Sequence, residues 1–441
     1  MSARRRYWSQ SELAMHLPRP LWWPALSITF LCLFTLFAPP GFITGMNLYL
    51  LLLAGIGWLA SRQPLEATLV RAVAPFGAAI VLGLVAGIGG DRYLYFKDAW
   101  YYSNPAVIIA VGFVLGRLLN DVKRGLRAFV VGGVLVALFH LIPFVLHPDL
   151  LMRPATRIRG LVGTGYYATS LVVIVLVGWR GRWRSSLGLS PTFASIALLL
   201  CAVSTVLSFS RTMAMVVVLG ALAMGGFFAR REWLRVGLFV VALLIGLGVL
   251  QATVDTDSVQ AKRSFIGKLA RSAEELTVRD YTTRTDINSN WRGFETARAL
   301  DSWTQAGLAK QVFGQGFGAQ VDLGLFQNLS TDSRAAVRFI PIFHNGYVYL
   351  LVKTGVVGVL LYLGALWWMY RIGRRTAGGY KDDPATLQGR ALQGCVVVLA
   401  VSTWVVAGAF NKFDMFSFLM LIGFLLAARA PTPVPIARGK T

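Results

Sequence analysis

Residues 344–371 read HNGYVYLLVKTGVVGVLLYLGALWWMYR, a stretch that joins two polar residues to a long apolar run. The run from 355 to 371 carries no charge before its last position. It is about as long as an α-helix must be to cross a hydrocarbon core of about 30 Å. The pattern predicts a short apolar helix that breaks at Gly355 and restarts after Gly358 as a membrane span.

Comparable apolar runs recur along almost the whole chain. Hydrophobic residues make up 56% of the 441 residues and charged residues only 14%, a composition that excludes a soluble globular domain. We therefore predict an all-α polytopic membrane protein with about twelve transmembrane helices. The predicted spans lie near residues 21–38, 43–60, 69–88, 104–119, 127–146, 164–179, 191–209, 212–228, 236–252, 355–371, 391–410 and 414–430.

The formal net charge of +23 indicates an orientation in the membrane. Basic residues cluster in alternate connections, at Arg62 and Arg71; Lys123, Arg124 and Arg127; Arg180, Arg182 and Arg184; Arg230, Arg231 and Arg235; and Arg371, Arg374 and Arg375. By the positive-inside rule, these connections and both termini are predicted to be cytoplasmic. The clusters have no aromatic stacking platform between them, so a nucleic-acid partner is not expected.

The predicted spans divide the chain into four parts. Residues 1–252 hold nine helices with short loops, 253–343 form a large outer loop, 344–430 hold a short membrane-edge helix and three more spans, and 431–441 form a cytoplasmic tail. The loop carries 11 Lys and Arg against 10 Asp and Glu, whereas the rest of the chain carries 32 against 10. This contrast is expected of a loop outside the cytoplasm.

Three segments are predicted to face outward: 89–103, 148–163 and the large loop. Within the large loop we expect one amphipathic helix, capped by Ser289 or Asn290. Its apolar face would be formed by residues at i, i+3 spacing, namely Trp291, Phe294, Ala297 and Leu300. Such a face predicts packing against another part of the protein.

His344 is the most informative of the four histidines, because it ends the large loop just before the broken helix. One interpretation is structural, with His344 capping a re-entrant helix. The other is chemical, since imidazole is the side chain best suited to take a proton near neutral pH.

Several outward-facing arginines are candidates for binding an anion. Arg211 lies at the outer end of one predicted span, where it violates the positive-inside preference. It could bind a phosphate or simply snorkel to lipid headgroups. Arg284 and Arg292 lie in the large loop, where Arg292 and Glu295 could form an i, i+3 pair on a solvated face. Arg157 and Arg159 share the same ambiguity.

Three other signals are weaker. Asp255 and Asp257 resemble a metal-binding carboxylate pair but lie in a polar loop. The glycines between 314 and 318 lack the strand context and the Lys-Ser/Thr of a nucleotide-binding loop. The three cysteines lie inside predicted spans and are expected to be buried thiols. We therefore expect no metal and no nucleotide cofactor.

The string from His344 resembles the motif of the O-antigen ligase and O-antigen polymerase superfamily of bacterial envelope glycosyltransferases. His344-Asn345, nine residues, Gly355, two residues and Gly358 reproduce the ligase pattern. The span count, the large outer loop and the Ser-Arg-Thr string around Arg211 agree with it. In protein-modifying oligosaccharyltransferases a glutamate usually precedes the first glycine, whereas Lys353-Thr354 stands there in this chain.

The resemblance implies a GT-C-like fold in the bacterial inner membrane and an active site facing the periplasm. It implies transfer of a polysaccharide from undecaprenyl pyrophosphate to the lipid A–core oligosaccharide, without a metal or a cofactor. The residues it places in catalysis are His344, Arg211 and one loop arginine, either Arg284 or Arg292. The residues expected to contact substrate are Asn345, Gly355, Gly358, Arg157 and Arg159.

Three alternatives remain at the level of sequence. An O-antigen polymerase would use the same donor but a lipid-linked acceptor, and a protein O-oligosaccharyltransferase would use a protein acceptor. A transporter or flippase would perform no chemistry. Transporters of this size usually show two related halves with matching broken helices, whereas this sequence predicts a single break, at 355–358.

Overall fold

The computed structural model describes residues 22–37, 43–61, 66–152, 158, 161–163, 166–227, 279, 281, 283–327, 336–378, 383–410 and 415–428. Most of these residues are helical. The α-helices are α1 Trp23–Phe37, α2 Ile43–Ser61, α3 Ala67–Ala86, α4 Arg92–Leu119, α5 Val122–Leu146, α6 Tyr166–Gly178, α7 Trp183–Leu187, α8 Pro191–Leu207, α9 Arg211–Met224, α10 Arg284–Ser289, α11 Trp291–Thr304, α12 Leu308–Phe313, α13 Gly346–Thr376, α14 Pro384–Val405 and α15 Phe416–Ala427.

The remaining regular structure is short. Two 3₁₀ turns span Pro148–Met152 and Gly408–Phe410. Strands β1 Val321–Gln327 and β2 Val337–Ile340 pair as an antiparallel hairpin, in which Val321 lies opposite Ile340. The hairpin was not predicted from the sequence and is the one departure from an all-α fold among the described residues.

Eleven of the twelve predicted spans overlap described helices, and the ninth, 236–252, lies outside the described residues. Five helices, α3, α4, α5, α13 and α14, are long and apolar enough to cross a membrane. The other apolar helices, which include α1, α6, α8, α9 and α15, have apolar stretches of 10 to 17 residues. The chain is thus a helical membrane protein, while the number of spans and the outer loop stay predictions.

The segment 89–103, which was predicted to face outward, is mostly helical, and its orientation stays a prediction. Helix α4 begins at Arg92, after Asp91 caps it by accepting a hydrogen bond from the Leu94 amide at 2.8 Å. The charges of Lys97 and Asp98 interrupt the apolar run, so the predicted span begins twelve residues after the helix does. The helix continues through Asp98 because that carboxylate is paired inside the protein.

Small residues let the central helices approach closely. A Cβ added at Gly112 of α4 would collide with the carbonyl of Met420 in α15, and one at Gly423 would collide with the carbonyl of Ile109. Such glycine contacts are typical of helix pairs in membranes, where close backbone packing replaces the hydrophobic driving force. Helix α4 also packs against α2 and α3, and α13 packs against α3 and α14.

Helix α13 is broken at Gly355, as the sequence predicted. Gly355 has φ 67° and ψ −168°, a backbone conformation that residues with a Cβ rarely adopt. The break separates a short first part, residues 346–354, from the longer second part. The helix restarts directly after Gly355. The expected restart after Gly358 is therefore wrong, and Gly358 lies within the second part, against the Thr354 side chain.

The glycine-rich turn at 314–318 supplies hydrogen-bond donors to the backbone carbonyls at this break. The carbonyls of Val352 and Lys353 lose their helical partners at the kink and accept hydrogen bonds from the amides of Gln315, at 2.8 Å, and Gly316, at 3.1 Å. Backbone groups in a buried or lipid setting must find such partners. The close approach requires glycine at 314, where φ is 90° and an added Cβ would collide with the Lys353 carbonyl.

Candidate functional site

The start of α13 is set by Asn345. Its side-chain oxygen accepts hydrogen bonds from the amides of Tyr347 and Val348, at 3.1 and 3.2 Å, which is the geometry of a helix N-cap. His344 stands immediately before this cap. The structural interpretation of His344 as the capping residue is therefore wrong, and its side chain is available for another role.

His344 contacts a buried glutamate. Its backbone amide and its ring Nδ1 both bond to the same oxygen, Oε1 of Glu295, and the Nδ1 distance is 2.9 Å. The Glu295 side chain is only 2% exposed, whereas the imidazole is 47% exposed. The pair thus presents an open imidazole held from behind by an enclosed carboxylate.

Glu295 is held by the amphipathic helix α11, which begins after Asn290 as expected and packs against α13. Phe294 is buried on this helix, with its ring centroid 5.7 Å from that of Trp291 and 5.8 Å from that of Tyr281. Glu295 is buried beside it, so the expectation of an Arg292–Glu295 pair on a solvated face is wrong for the glutamate.

Glu295 was not among the candidate residues from the sequence. A signal was present, because Glu295 follows Trp291 by four residues and so falls on the same helix face. The apolar spacing that revealed the helix counted only hydrophobic residues. Its partner His344 lies 49 positions away, and the sequence gives no measure of that distance in space.

A second buried polar cluster lies one to two turns further along the first part of α13. Asp98 accepts from Lys353 Nζ at 2.5 Å, from the Tyr349 hydroxyl at 2.9 Å and from the Gly318 amide at 2.8 Å. Lys353 Nζ also donates to the Ala319 carbonyl at 2.5 Å. Asp98 and Lys353 are 1% and 0% exposed. The cluster joins α4, α13 and the glycine-rich turn.

The two loop arginines occupy different surroundings. Arg284 is exposed at the start of α10 and donates to the Phe326 carbonyl of β1 at 3.4 Å. Arg292 is half-buried on α11, three residues before Glu295. Arg292 therefore shares a helix with the carboxylate that holds His344, whereas Arg284 lies beside the hairpin.

Arg211 begins helix α9, directly after the N-cap Ser210, and is half-buried. Helix α9 packs against α6 and α14, and α14 packs in turn against α13. The sequence placed Arg211 near the first residue of a span, and the helix begins there. That Arg211 takes part in catalysis together with His344 stays a prediction.

The remaining candidates divide into two groups. Gly355 and Gly358 are buried, and their described contacts are with the protein itself, so a role in substrate binding stays a prediction. Arg157 and Arg159 lie outside the described residues, as do Asp255 and Asp257. The three cysteines, Cys32, Cys201 and Cys395, are free and buried, as expected.

Comparison with known proteins finds one similarity, which covers part of the chain. A family model described as O-antigen ligase matches residues 196–363. The matched segment contains Arg211, both loop arginines, Glu295 and the His344 motif. No curated protein matches the chain. The resemblance predicted from the sequence is confirmed over residues 196–363, less than half of the chain, where this protein is similar to the O-antigen ligase family.

Proposed function

We propose that this protein is an O-antigen ligase of the bacterial inner membrane. It transfers polysaccharide from undecaprenyl pyrophosphate to the lipid A–core oligosaccharide at the periplasmic face. The observation that carries the proposal is the exposed imidazole of His344, placed by the Asn345 cap at the entry to α13 within the matched segment. An exposed, fixed imidazole suits proton transfer from an acceptor hydroxyl.

The proposed reaction is an inverting displacement at the anomeric carbon. The acceptor oxygen forms the new bond to that carbon while its proton passes to His344. The bond from the anomeric carbon to the phosphate oxygen breaks, and undecaprenyl pyrophosphate leaves with the electron pair. The pyrophosphate linkage already activates the sugar, so the scheme uses neither a nucleotide nor a metal.

Arginines are proposed to stabilise the leaving group. Arg211 and one loop arginine would neutralise the charge that grows on the pyrophosphate, because a guanidinium binds phosphate oxygens with two parallel hydrogen bonds. A preorganised donor of this kind contributes about 3 to 4 kcal/mol to transition-state stabilisation. Of the loop arginines, Arg292 is the better candidate, since it stands one helical turn from Glu295, the carboxylate that contacts His344.

One experiment tests the reaction directly. Purified protein in nanodiscs is given lipid-linked O-antigen and rough lipopolysaccharide, with and without a chelator of divalent metals. We expect glycan to appear on the lipopolysaccharide at the same rate in both conditions. A requirement for divalent metal would reject the proposed chemistry, and no transfer to lipopolysaccharide would reject the acceptor.

A deletion strain separates the ligase from a polymerase. Cells without a ligase should still accumulate long lipid-linked chains, because polymerisation precedes the final transfer. Cells without a polymerase should instead make lipopolysaccharide that bears a single repeat. Single-repeat lipopolysaccharide in the deletion strain would assign this chain to the polymerases.

A further inference from the structure

We infer that Glu295 is a positioning residue that makes His344 the base of the glycosyl transfer. The inference rests on the proposed function and deepens it, because a histidine at this place could instead bind the pyrophosphate as a cation. We draw it from two features of the His344–Glu295 contact: the ring nitrogen that it occupies and the difference in exposure of the two side chains.

One carboxylate oxygen contacts both the backbone and the ring of His344. The backbone amide of His344 and its ring Nδ1 converge on Oε1 of Glu295. A carboxylate oxygen has two lone pairs and can accept both of these donors at once. Glu295 therefore accepts from both groups and holds the Nδ1 edge of the imidazole.

The same contact selects a tautomer. A carboxylate can only accept, so the hydrogen in the 2.9 Å contact resides on Nδ1. In a neutral imidazole the lone pair is then on Nε2, at the far edge of the ring. Nε2 is the atom that takes a proton from a hydroxyl in the corresponding arrangement of carboxylate, histidine and nucleophile in hydrolases.

Exposure separates the two roles. At 2% exposure the Glu295 side chain is closed to a bulky glycan, whereas the His344 side chain is 47% exposed. Glu295 therefore acts through His344 and does not touch the substrate. Burying a carboxylate is costly unless it is well paired. Glu295 is not needed to cap α13, since Asn345 does so by itself. The contact with His344 is therefore the role that accounts for its burial.

The proposed roles account for the movement of the proton through one turnover. The acceptor hydroxyl gives its proton to Nε2 as its oxygen bonds to the anomeric carbon and the pyrophosphate leaves. The imidazolium so formed is stabilised by the adjacent Glu295 carboxylate. Nε2 afterwards releases the proton to water, which reaches the exposed ring, and His344 returns to its starting tautomer.

The test uses Glu295→Gln in the purified, full-length protein. Glutamine keeps the shape of the side chain but loses the charge, and its amide can donate to Nδ1 and so favour the wrong tautomer. We expect kcat to fall by about 10²- to 10⁴-fold, by analogy with the carboxylate-to-amide change in serine proteases, while KM for donor and acceptor stays within about twofold. Asp301→Asn is the matched control, because Asp301 lies on the same helix with an exposed carboxylate; it should behave as wild type.

A double variant tests whether the two residues act as one unit. Adding Glu295→Gln to His344→Ala should lower kcat no further than His344→Ala alone, since residues that act together are not additive. A Glu295→Gln enzyme within threefold of wild-type kcat, or a double variant far below His344→Ala, would overturn the inference. If Glu295→Gln fails to insert, Glu295→Asp takes its place. Its side chain is one methylene shorter and moves the carboxylate away from His344, so kcat must fall.

The two proposals fail in different ways. A wild-type enzyme that transfers no glycan to lipopolysaccharide rejects the proposed function. A wild-type enzyme that transfers glycan, together with an unaffected Glu295→Gln variant, rejects only the role of Glu295.

Discussion

Arg211 is the residue at which a phosphate partner can be distinguished from lipid. We expect Arg211→Lys to be nearly as damaging to ligation as Arg211→Ala, because lysine keeps the charge but loses the two-pronged geometry. The measurement is the amount of polysaccharide-bearing lipopolysaccharide in a strain that depends on the variant. The companion is His344→Ala, which should insert normally and leave no ligation detectable in cells, although a residual rate stays measurable on purified protein. Near-normal lipopolysaccharide in the Arg211→Lys strain would mean that Arg211 snorkels to headgroups.

Arg284 and Arg292 offer a matched comparison in one loop. We expect Arg292→Lys to reduce transfer by about 10²-fold or more, the scale of losing one preorganised donor. Arg284→Lys should cost much less, because the Arg284 contact is an exposed bond of 3.4 Å to a hairpin carbonyl. Single-turnover transfer rates on purified protein measure both. The reverse order would move the leaving-group contact to Arg284.

Residue identity could be predicted only where a local motif carries it. His344 and Asn345 stand out in one short string, and the Asn345 cap follows from the sequence that comes after it. Glu295 could not be selected in the same way. Its role depends on the packing of α11 against α13, which is a tertiary contact that no local pattern encodes.

At the scale of elements, the Asp98–Lys353 pair joins α4 to the first part of α13. We expect Lys353→Met to lower the free energy of unfolding by about 3 to 5 kcal/mol, the usual result of leaving one buried charge without its partner. Thermal unfolding in detergent measures the loss. Lys310→Met, at an exposed position on α12, is the control and should be neutral.

A second variant identifies the cause of that loss. Asp98→Asn combined with Lys353→Met should be more stable than Lys353→Met alone, because an asparagine leaves no unpaired carboxylate and can still accept from the Gly318 amide. If the double variant is the less stable of the two, the side-chain packing of Lys353, and not its charge, holds the elements together.

The β1–β2 hairpin has a defined pH dependence. The Arg338 guanidinium, which donates to both carboxylate oxygens of Asp322 at 2.8 and 2.7 Å, lowers the pKa of that carboxyl from 3.8 to about 2, with help from the Gly324 amide. A depressed pKa stabilises the folded hairpin above pH about 4, and this contribution is lost as the pH falls through about 2.

Hydrogen exchange at the hairpin amides, corrected for intrinsic rates, measures the effect. Protection should be constant between pH 5 and 8 and should decline below pH about 4. Arg338→Gln should exchange faster already at pH 6. Equal protection in Arg338→Gln and wild type would show that other contacts hold the hairpin.

Elements were predictable where hydrophobic periodicity is unbroken and less so where charge interrupts it. The break at Gly355 follows from a glycine inside an apolar run. The first turns of α4 lie outside the predicted span because Lys97 and Asp98 interrupt the apolar run, and the partner of Asp98, Lys353, lies 255 positions away. The turn at 314–318 likewise acquires its role only from the distant carbonyls at the kink.

In the whole molecule, some apolar helices are too short to cross a membrane by themselves. Helix α15 has 12 residues, or about 18 Å at 1.5 Å per residue, which is shorter than a hydrocarbon core of about 30 Å. Its side chains are almost all buried, so its place is inside the bundle. The orientation therefore depends on the charge asymmetry of the connections.

The charge asymmetry of the connections predicts which side of the membrane each of them faces. A reporter that needs disulfides, and is active only outside the cytoplasm, should be active when fused after Ser258 and inactive when fused after Tyr380. The reason is that the 253–343 segment is near neutral, whereas Arg371, Arg374 and Arg375 precede the second fusion point. A cytoplasm-dependent fluorescent reporter at the same two points is the control and should give the opposite pattern. Reversal of both patterns would place His344 at the cytoplasmic face, away from the proposed lipid-linked donor, and would remove the basis of the proposed site.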